Sequence, residues 1–386
     1  MQNLPPDPDR SEGKSAETDP PATVHPFRFT GAVAEYFRIW IVNLFLTVVT
    51  LGAYSAWAKV RRKRYFHGNT WVDGANFDYH ADPLAILKGR AIAVAGFLVF
   101  TLVSWGYPRV GAAIGLAFVP ALAWLALRTL QFTAFNSSYR NVRFRFRGSY
   151  LDALRAVGPL GVSPALVLVL PATDPWTLHD GGSILLGVVL PALATLLALP
   201  YVVAALARFQ ANNTWLGSAP FAREVRGGAY FGAFYVAFAL AIALGTIAGM
   251  FFAMFSAAVV AIGPEAAGLV VPFIQVMIVA VVIGFSRARI ANLLLNATTL
   301  GGRVRFSSGI DPVRLAGMYA VNLVAIGATF GLAVPWAVIR TARYRASCLS
   351  IVAEGELDAL AVEDRGMPPG AAGDQIADFM QLDFSL

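Results

Sequence analysis

"LTVVTLGAYSAWAKVRRKRYFHGNTWVDGANFDY", residues 46–79, compresses the architecture into one stretch. An apolar run breaks at Thr50-Leu51-Gly52, resumes through Trp57 and ends on Arg61, Arg62, Lys63 and Arg64. Lys and Arg accumulate where a membrane helix meets the cytoplasm. The polar and apolar residues then alternate around Asp73-Gly74, a pair suited to a type I′ turn because both central residues need positive φ. The stretch reads as helix, break, basic collar, β-hairpin.

The rest of the chain has the composition such a segment needs. Of 386 residues, 57% are hydrophobic and 14% charged, far from the proportions of a soluble domain. Apolar windows at about 91–107, 110–130, 157–171, 183–206, 229–256 and 267–286 suit crossings of a hydrocarbon core of roughly 30 Å. They pair into hairpins. The loops inside the pairs, "YPRV", "TDPWTLHDGG" and "GPEAAG", carry little positive charge, whereas "RNVRFRFRG", "REVRGG" and "GGRVRF" lie between pairs. That asymmetry places the between-pair segments in the cytoplasm. Two outer segments, 37–58 and 315–339, are short for a crossing, since Phe37 to Leu51 is only about 22 Å of helix. With Gly52 and Gly331 as helix breaks, both are expected to enter the membrane and return; eight full crossings is the alternative.

Residues 1–24 are Pro-rich and polar and read as a disordered tail, 25–352 as the multi-pass membrane domain, and 353–386 as an acidic flexible tail. The single Cys348 excludes an intramolecular disulfide.

The stretch recurs. Shifted by 279 residues, Asn43, Thr50, Gly52, Trp57, Arg61 and Arg64 fall on Asn322, Thr329, Gly331, Trp336, Arg340 and Arg343. A shift of 67 places Trp57 and Arg61 on Trp124 and Arg128; a shift of 144 places Asn69, Thr70, Trp71 and Phe77 on Asn213, Thr214, Trp215 and Phe221. "NATTLGGRVRF" is a degenerate copy. The expected fold is an all-α polytopic membrane protein of six to eight transmembrane helices, whose helix–collar–hairpin units pair their hairpins into a small cytoplasmic β-layer, because an isolated hairpin is marginal in water.

Tyr36 to Arg90, with Asn43, Thr50-Leu51-Gly52, Trp57, Arg61, Arg64-Tyr65, Asn69-Thr70 and Gly74, closely resembles the signature of the YjgN-like family of bacterial multi-pass inner-membrane proteins. The resemblance implies localisation in the bacterial inner membrane and no particular activity.

Candidate sites are few. Arg61, Arg62, Lys63, Arg64, Arg340 and Arg343 are candidate contacts for anionic lipid headgroups, each cation near the surface being worth about 1 kcal/mol; their bland reading is a topology anchor. Asn43 and Asn322 form a candidate intramembrane polar pair, more ordinarily glue between helices. His25, His67, His80 and His179 lack ligand spacing, and no nucleophile elbow, P-loop or paired carboxylate is present. No cofactor, metal, nucleic-acid partner or catalytic residue is therefore expected. An ion-driven transporter is disfavoured, since no Asp, Glu or His lies within a span. The expected function is a non-enzymatic envelope scaffold or lipid-interacting protein, with a channel or uncoupled transporter as the alternative.

Overall fold

The computed structural model describes residues 22–170, 182, 185–225, 227–261 and 264–354. Most of both tails, and the loop "TDPWTLHDGG" with His179, lie outside the described residues.

The chain is not all-α. Its short strands form one continuous antiparallel sheet of eleven strands. The N-terminal strands are β1 (Ala22–Pro26) and β2 (Arg28–Phe29). Hairpins follow as β3 (Thr70–Val72) with β4 (Ala75–Tyr79), β5 (Ser137–Tyr139) with β6 (Val142–Phe146), β7 (Thr214–Leu216) with β8 (Ala219–Arg223), and β9 (Thr298–Leu300) with β10 (Val304–Ser308). The last strand, β11, is Leu349–Glu354. From β2 to β11 each strand pairs with the next, and β1 pairs with β11. The two ends of the sheet, β1 and β2, are separated in the chain by Phe27 alone, whose N–H donates to Leu349 O at 3.0 Å. They are two halves of one bent strand, so the sheet comes round into a nearly closed, barrel-like ring of ten staves. A flat layer of the same hairpins would leave two long unpaired edges; bringing the ends round to one bent strand leaves only the short outer sides of β1 and β2. β1 uses residues 22–24 and β11 uses Ala353 and Glu354, so the barrel takes in stretches that composition alone assigns to the tails.

Helical pairs connect the staves. They are α1 (Val33–Val49) with α2 (Ser55–Gly68), α3 (Pro83–Gly106) with α4 (Pro108–Asn136), and α5 (Tyr150–Val157) and α6 (Val162–Val169) with α7 (Leu190–Asn212). Then come α8 (Gly227–Ala261) with α9 (Pro264–Asn296), and α10 (Pro312–Ala328) with α11 (Val334–Ser347). Because every neighbouring stave is antiparallel, all turns fall at one end of the barrel and all helix junctions at the other. Ala22 pairs with Glu354 at the turn end, so the first and last described residues share that side. Successive helices pack on one another, and α11 packs on α1, closing a helical ring around the barrel axis.

Among the described residues, six stretches are long and apolar enough to cross a membrane: Pro83–Trp105, Arg109–Asn136, Tyr150–Val169, Leu185–Asn212, Gly228–Phe255 and Val270–Asn296. The outer pairs are not among these: α1 and α10 have 17 residues and α2 and α11 have 14, short for a span, and since β2 pairs with β3 and β10 with β11, each pair starts and ends on the same side of the barrel. At both tips the chain reverses through the same backbone: Leu51 and Phe330 have φ of 49°, Gly52 92° and Gly331 93°. Gly52 N–H donates to Thr47 O (2.7 Å) and Gly331 N–H to Ile326 O (2.8 Å), the six-to-one bond of a Schellman stop whose left-handed position is taken by Leu51 and Phe330, with a glycine at positive φ directly after it. Thr50 and Thr329 bracket the break. Each hydroxyl donates back to its own helix, to Leu46 O or Ala325 O at 2.7 Å. Each also accepts from the first turn of the next, from Tyr54 or Ala333 N–H at 2.9 Å.

The strands start where the helices stop, for a local reason. Asn69, Asn136 and Asn213 donate from Nδ2 to the carbonyl four residues back, and Thr70, Ser137, Thr214 and Thr298 do the same from their hydroxyls. Such side-chain bonds compete with the helical ladder and favour its termination.

Candidate functional site

Two concave sites follow from this frame, one inside the barrel and one on the helical crown.

Pairing register fixes the barrel interior. Phe77 pairs with Tyr139, Phe144 with Leu216, Phe221 with Leu300 and Phe306 with Ile351, all on the inward face. The five phenylalanines Phe27, Phe77, Phe144, Phe221 and Phe306 stand at equivalent registers and form a waist. Ring centroids of Phe27–Phe77, Phe144–Phe221 and Phe221–Phe306 lie 6.4, 6.1 and 6.0 Å apart. On the turn side the lining is aliphatic, with Val72, Leu216, Leu300 and Val304 buried. On the helix side Thr70, Ser137 and Thr298 line the cavity together with His67 and Arg223. The space inside is about 160 Å³ and is partly open. Ten staves make a wider barrel than the eight whose interior side chains just fill, so a void at the axis is expected.

Arg223 stands at the register that Phe29, Tyr79, Phe146 and Ser308 occupy in the other units. Its Nε donates to Thr298 Oγ1 (2.8 Å) and Nη1 to Ala207 O (3.0 Å). It is 7% exposed, and the desolvation of burial lowers its pKa from the ordinary arginine value. Nothing in the sequence separates Arg223 from the arginines of "REVRGG" read as topology signals; only its strand register reveals it.

The crown site is an open groove of about 720 Å³ bordered by Val33, α10 and α11, with Arg314, Arg340, Arg343, Trp336 and Tyr344 on its walls. The Arg314 guanidinium lies 4.8 Å from the Tyr344 ring and that of Arg340 5.0 Å from the Trp336 ring. Arg343 Nη2 donates to Gly31 O at 3.1 Å. None of the three pairs with a carboxylate among the described residues. The level of this groove is legible. Trp57, Trp124 and Trp336 each sit one helical turn deeper than Arg61, Arg128 and Arg340, the order expected at a membrane interface. Leu51 and Phe330 lie six residues beyond Trp57 and Trp336, so both tips reach about 9 Å below the tryptophans, within one leaflet.

The remaining predicted residues divide. Arg61 and Arg62 are exposed, Arg61 donating to Tyr54 Oη (3.2 Å), and Arg64 donates from Nε to Tyr79 O (3.3 Å). Lys63 departs from the collar reading: it is 2% exposed, with Nζ 5.0 Å from the centre of the Tyr79 ring, and cannot face headgroups. The two collars meet no shared acidic group, since no carboxylate among the described residues pairs with Arg61, Arg64, Arg340 or Arg343. Asn322 bonds within its own hairpin, donating to Thr341 Oγ1 (3.0 Å) and accepting from Arg340 (3.3 Å). Asn43 is equally buried, but its Oδ1 has no partner. Asp73 and Gly74 have φ of 47° and 71°, as a type I′ turn requires. Asp73 also pairs with His25 (2.8 Å) and Arg140 (2.6 Å), tying neighbouring staves at the turn end.

Residues 24–379 match the family described as "Bacterial protein of unknown function (DUF898)". The chain is similar to the "Inner membrane protein YjgN" of Escherichia coli K12, 31% identical over 198 residues, which is 47% of this chain and 46% of the relative. The protein of the same name from Salmonella typhimurium is 31% identical over 183 residues, 44% of each chain. The aligned region thus spans less than half the length of these relatives. No solved structure matches. With six membrane-length apolar helices and these relatives, the chain belongs to the YjgN-like DUF898 family and is a multi-pass protein of the bacterial inner membrane.

Proposed function

We propose that the protein is a non-catalytic inner-membrane component that holds anionic phospholipid through the groove of α10 and α11. One observation carries this reading: three guanidiniums without a carboxylate border an apolar, aromatic groove at the depth of the headgroups. Phosphate is the chemistry that several convergent guanidiniums recognise, and the apolar wall suits the start of an acyl chain. With cations near the surface worth about 1 kcal/mol each, the groove distinguishes anionic from zwitterionic lipid by orders of magnitude. The shallow hairpin tips, with Leu51 97% and Phe330 98% exposed, would anchor the crown in the same leaflet. Native mass spectrometry of protein purified with phosphatidylglycerol and phosphatidylethanolamine tests this. The Arg314→Gln/Arg340→Gln/Arg343→Gln variant is expected to retain at least tenfold less phosphatidylglycerol; unchanged retention would reject the groove.

A second reading, a gated solute pore, draws on the helical ring around the barrel axis, since apolar constrictions such as the phenylalanine waist gate by dewetting. Solute efflux from proteoliposomes that rises in Phe144→Ser would favour it.

A further inference from the structure

Beyond the crown groove, we propose that the barrel is a binding site for one single-chain anionic amphiphile of the fatty-acid class, its carboxylate on Arg223 and its alkyl chain threaded through the phenylalanine waist.

The apolar half of the argument is the cavity. Its 160 Å³ holds roughly ten water-sized spheres, but aromatic and aliphatic walls offer water too few partners. An alkyl chain of about ten carbons matches both the volume and the chemistry. A cavity of that volume suits one alkyl chain and disfavours two-chain lipids.

The polar half is an uncompensated charge. Arg223 lines the helix end of the cavity, is bonded to a hydroxyl and a backbone carbonyl, and pairs with no carboxylate among the described residues. A buried cation in that state is costly and calls for an anion. Its surroundings carry two more orphans. Arg208 Nε and Tyr230 Oη are buried without a hydrogen-bond partner, and Tyr230 feels the charges of both arginines. Arg223 is held against Ala207, the neighbour of Arg208, and of these three groups Arg223 is the one that lines the cavity. It lies at the end facing the membrane, from which an amphiphile would enter tail first. The hydroxyls of Thr70, Ser137 and Thr298 are already committed to their own helices, which leaves Arg223 to select the head.

The test uses the full-length protein, delipidated in a maltoside detergent, titrated calorimetrically with decanoate, decan-1-ol, acetate and phosphatidylglycerol. Decanoate is expected to bind saturably at one equivalent, with decan-1-ol and acetate each at least tenfold weaker, because one lacks the charge-assisted bonds and the other the chain. Arg223→Gln should weaken decanoate about tenfold or more and leave decan-1-ol unchanged. Should that variant fail to fold, the wild-type comparison of decanoate, decan-1-ol and acetate decides alone. No saturable decanoate binding would overturn the proposal. So would decan-1-ol or acetate binding as tightly as decanoate, or phosphatidylglycerol displacing decanoate at equal affinity. None of these outcomes bears on lipid retention in the crown groove.

Discussion

The barrel waist and the hairpin tips carry the same residue type into opposite surroundings. Phe221 in the waist is 8% exposed, whereas Phe330 at the tip between α10 and α11 is 98% exposed. The membrane helices resemble the tips: within Gly228–Phe255 and within Val270–Asn296, only 6% of an 18-residue apolar window is buried inside the protein. Lipid solvates them as well as protein does, so their packing contributes little hydrophobic driving force. The barrel strands lie outside the six membrane-length stretches, and their apolar lining is what burial can stabilise. Fold stability should therefore concentrate in the barrel and membrane attachment in the tips.

The sharpest way to break this contrast is one truncation made twice. Phe221→Ala should destabilise the detergent-solubilised protein by about 3 kcal/mol, while Phe330→Ala should change stability by about 0.5 kcal/mol or less and instead weaken retention in liposomes. Equal thermal shifts in the two variants would remove the distinction. The next effect concerns the tips themselves. Gly331→Val and Gly52→Val place a β-branched residue at φ above 90° and should each cost about 1–3 kcal/mol, read from chemical unfolding. A difference between them would mean that the two reversals are not equivalent. The smallest effect separates the two asparagines. Asn322→Ala breaks bonds to Thr341 and Arg340 and should cost about 1 kcal/mol, whereas Asn43→Leu removes a buried oxygen without a partner and should be neutral or stabilising. Equal losses from both would point to a shared polar site after all, and would revive solute passage.

The helices were legible because eighteen or more apolar residues in a row admit few other readings, and the tips because Thr50-Leu51-Gly52 and Thr329-Phe330-Gly331 repeat one stop signal. The Asp73-Gly74 turn was equally plain. Barrel closure was not. Staves of two to six residues carry little periodic signal, and alternation suits a flat layer as well as a ring. The strand that closes the ring contains Pro26, and its partner β11 lies at the other end of the chain. The offset of 144 already set Phe221 on Phe77. Extending it to Phe306 requires absorbing the Gly301-Gly302 insertion, and extending it to Phe27 requires treating the chain as circular. Arg223 and Lys63 escaped for a related reason: a cation's exposure depends on which face of a strand or helix it occupies, and composition does not report faces.

Closure by the N-terminal strand supports both the fold and the cavity, and cysteine cross-linking tests it most directly. In a Cys348→Ser background, Val24→Cys and Val352→Cys occupy paired positions on the outer face of the barrel. They are predicted to form an intrachain disulfide on mild oxidation in native membranes, while Val24→Cys with Ala222→Cys, across the barrel, is predicted to form none. Absence of the first disulfide, or equal formation of both, would contradict a barrel closed by residues 22–29.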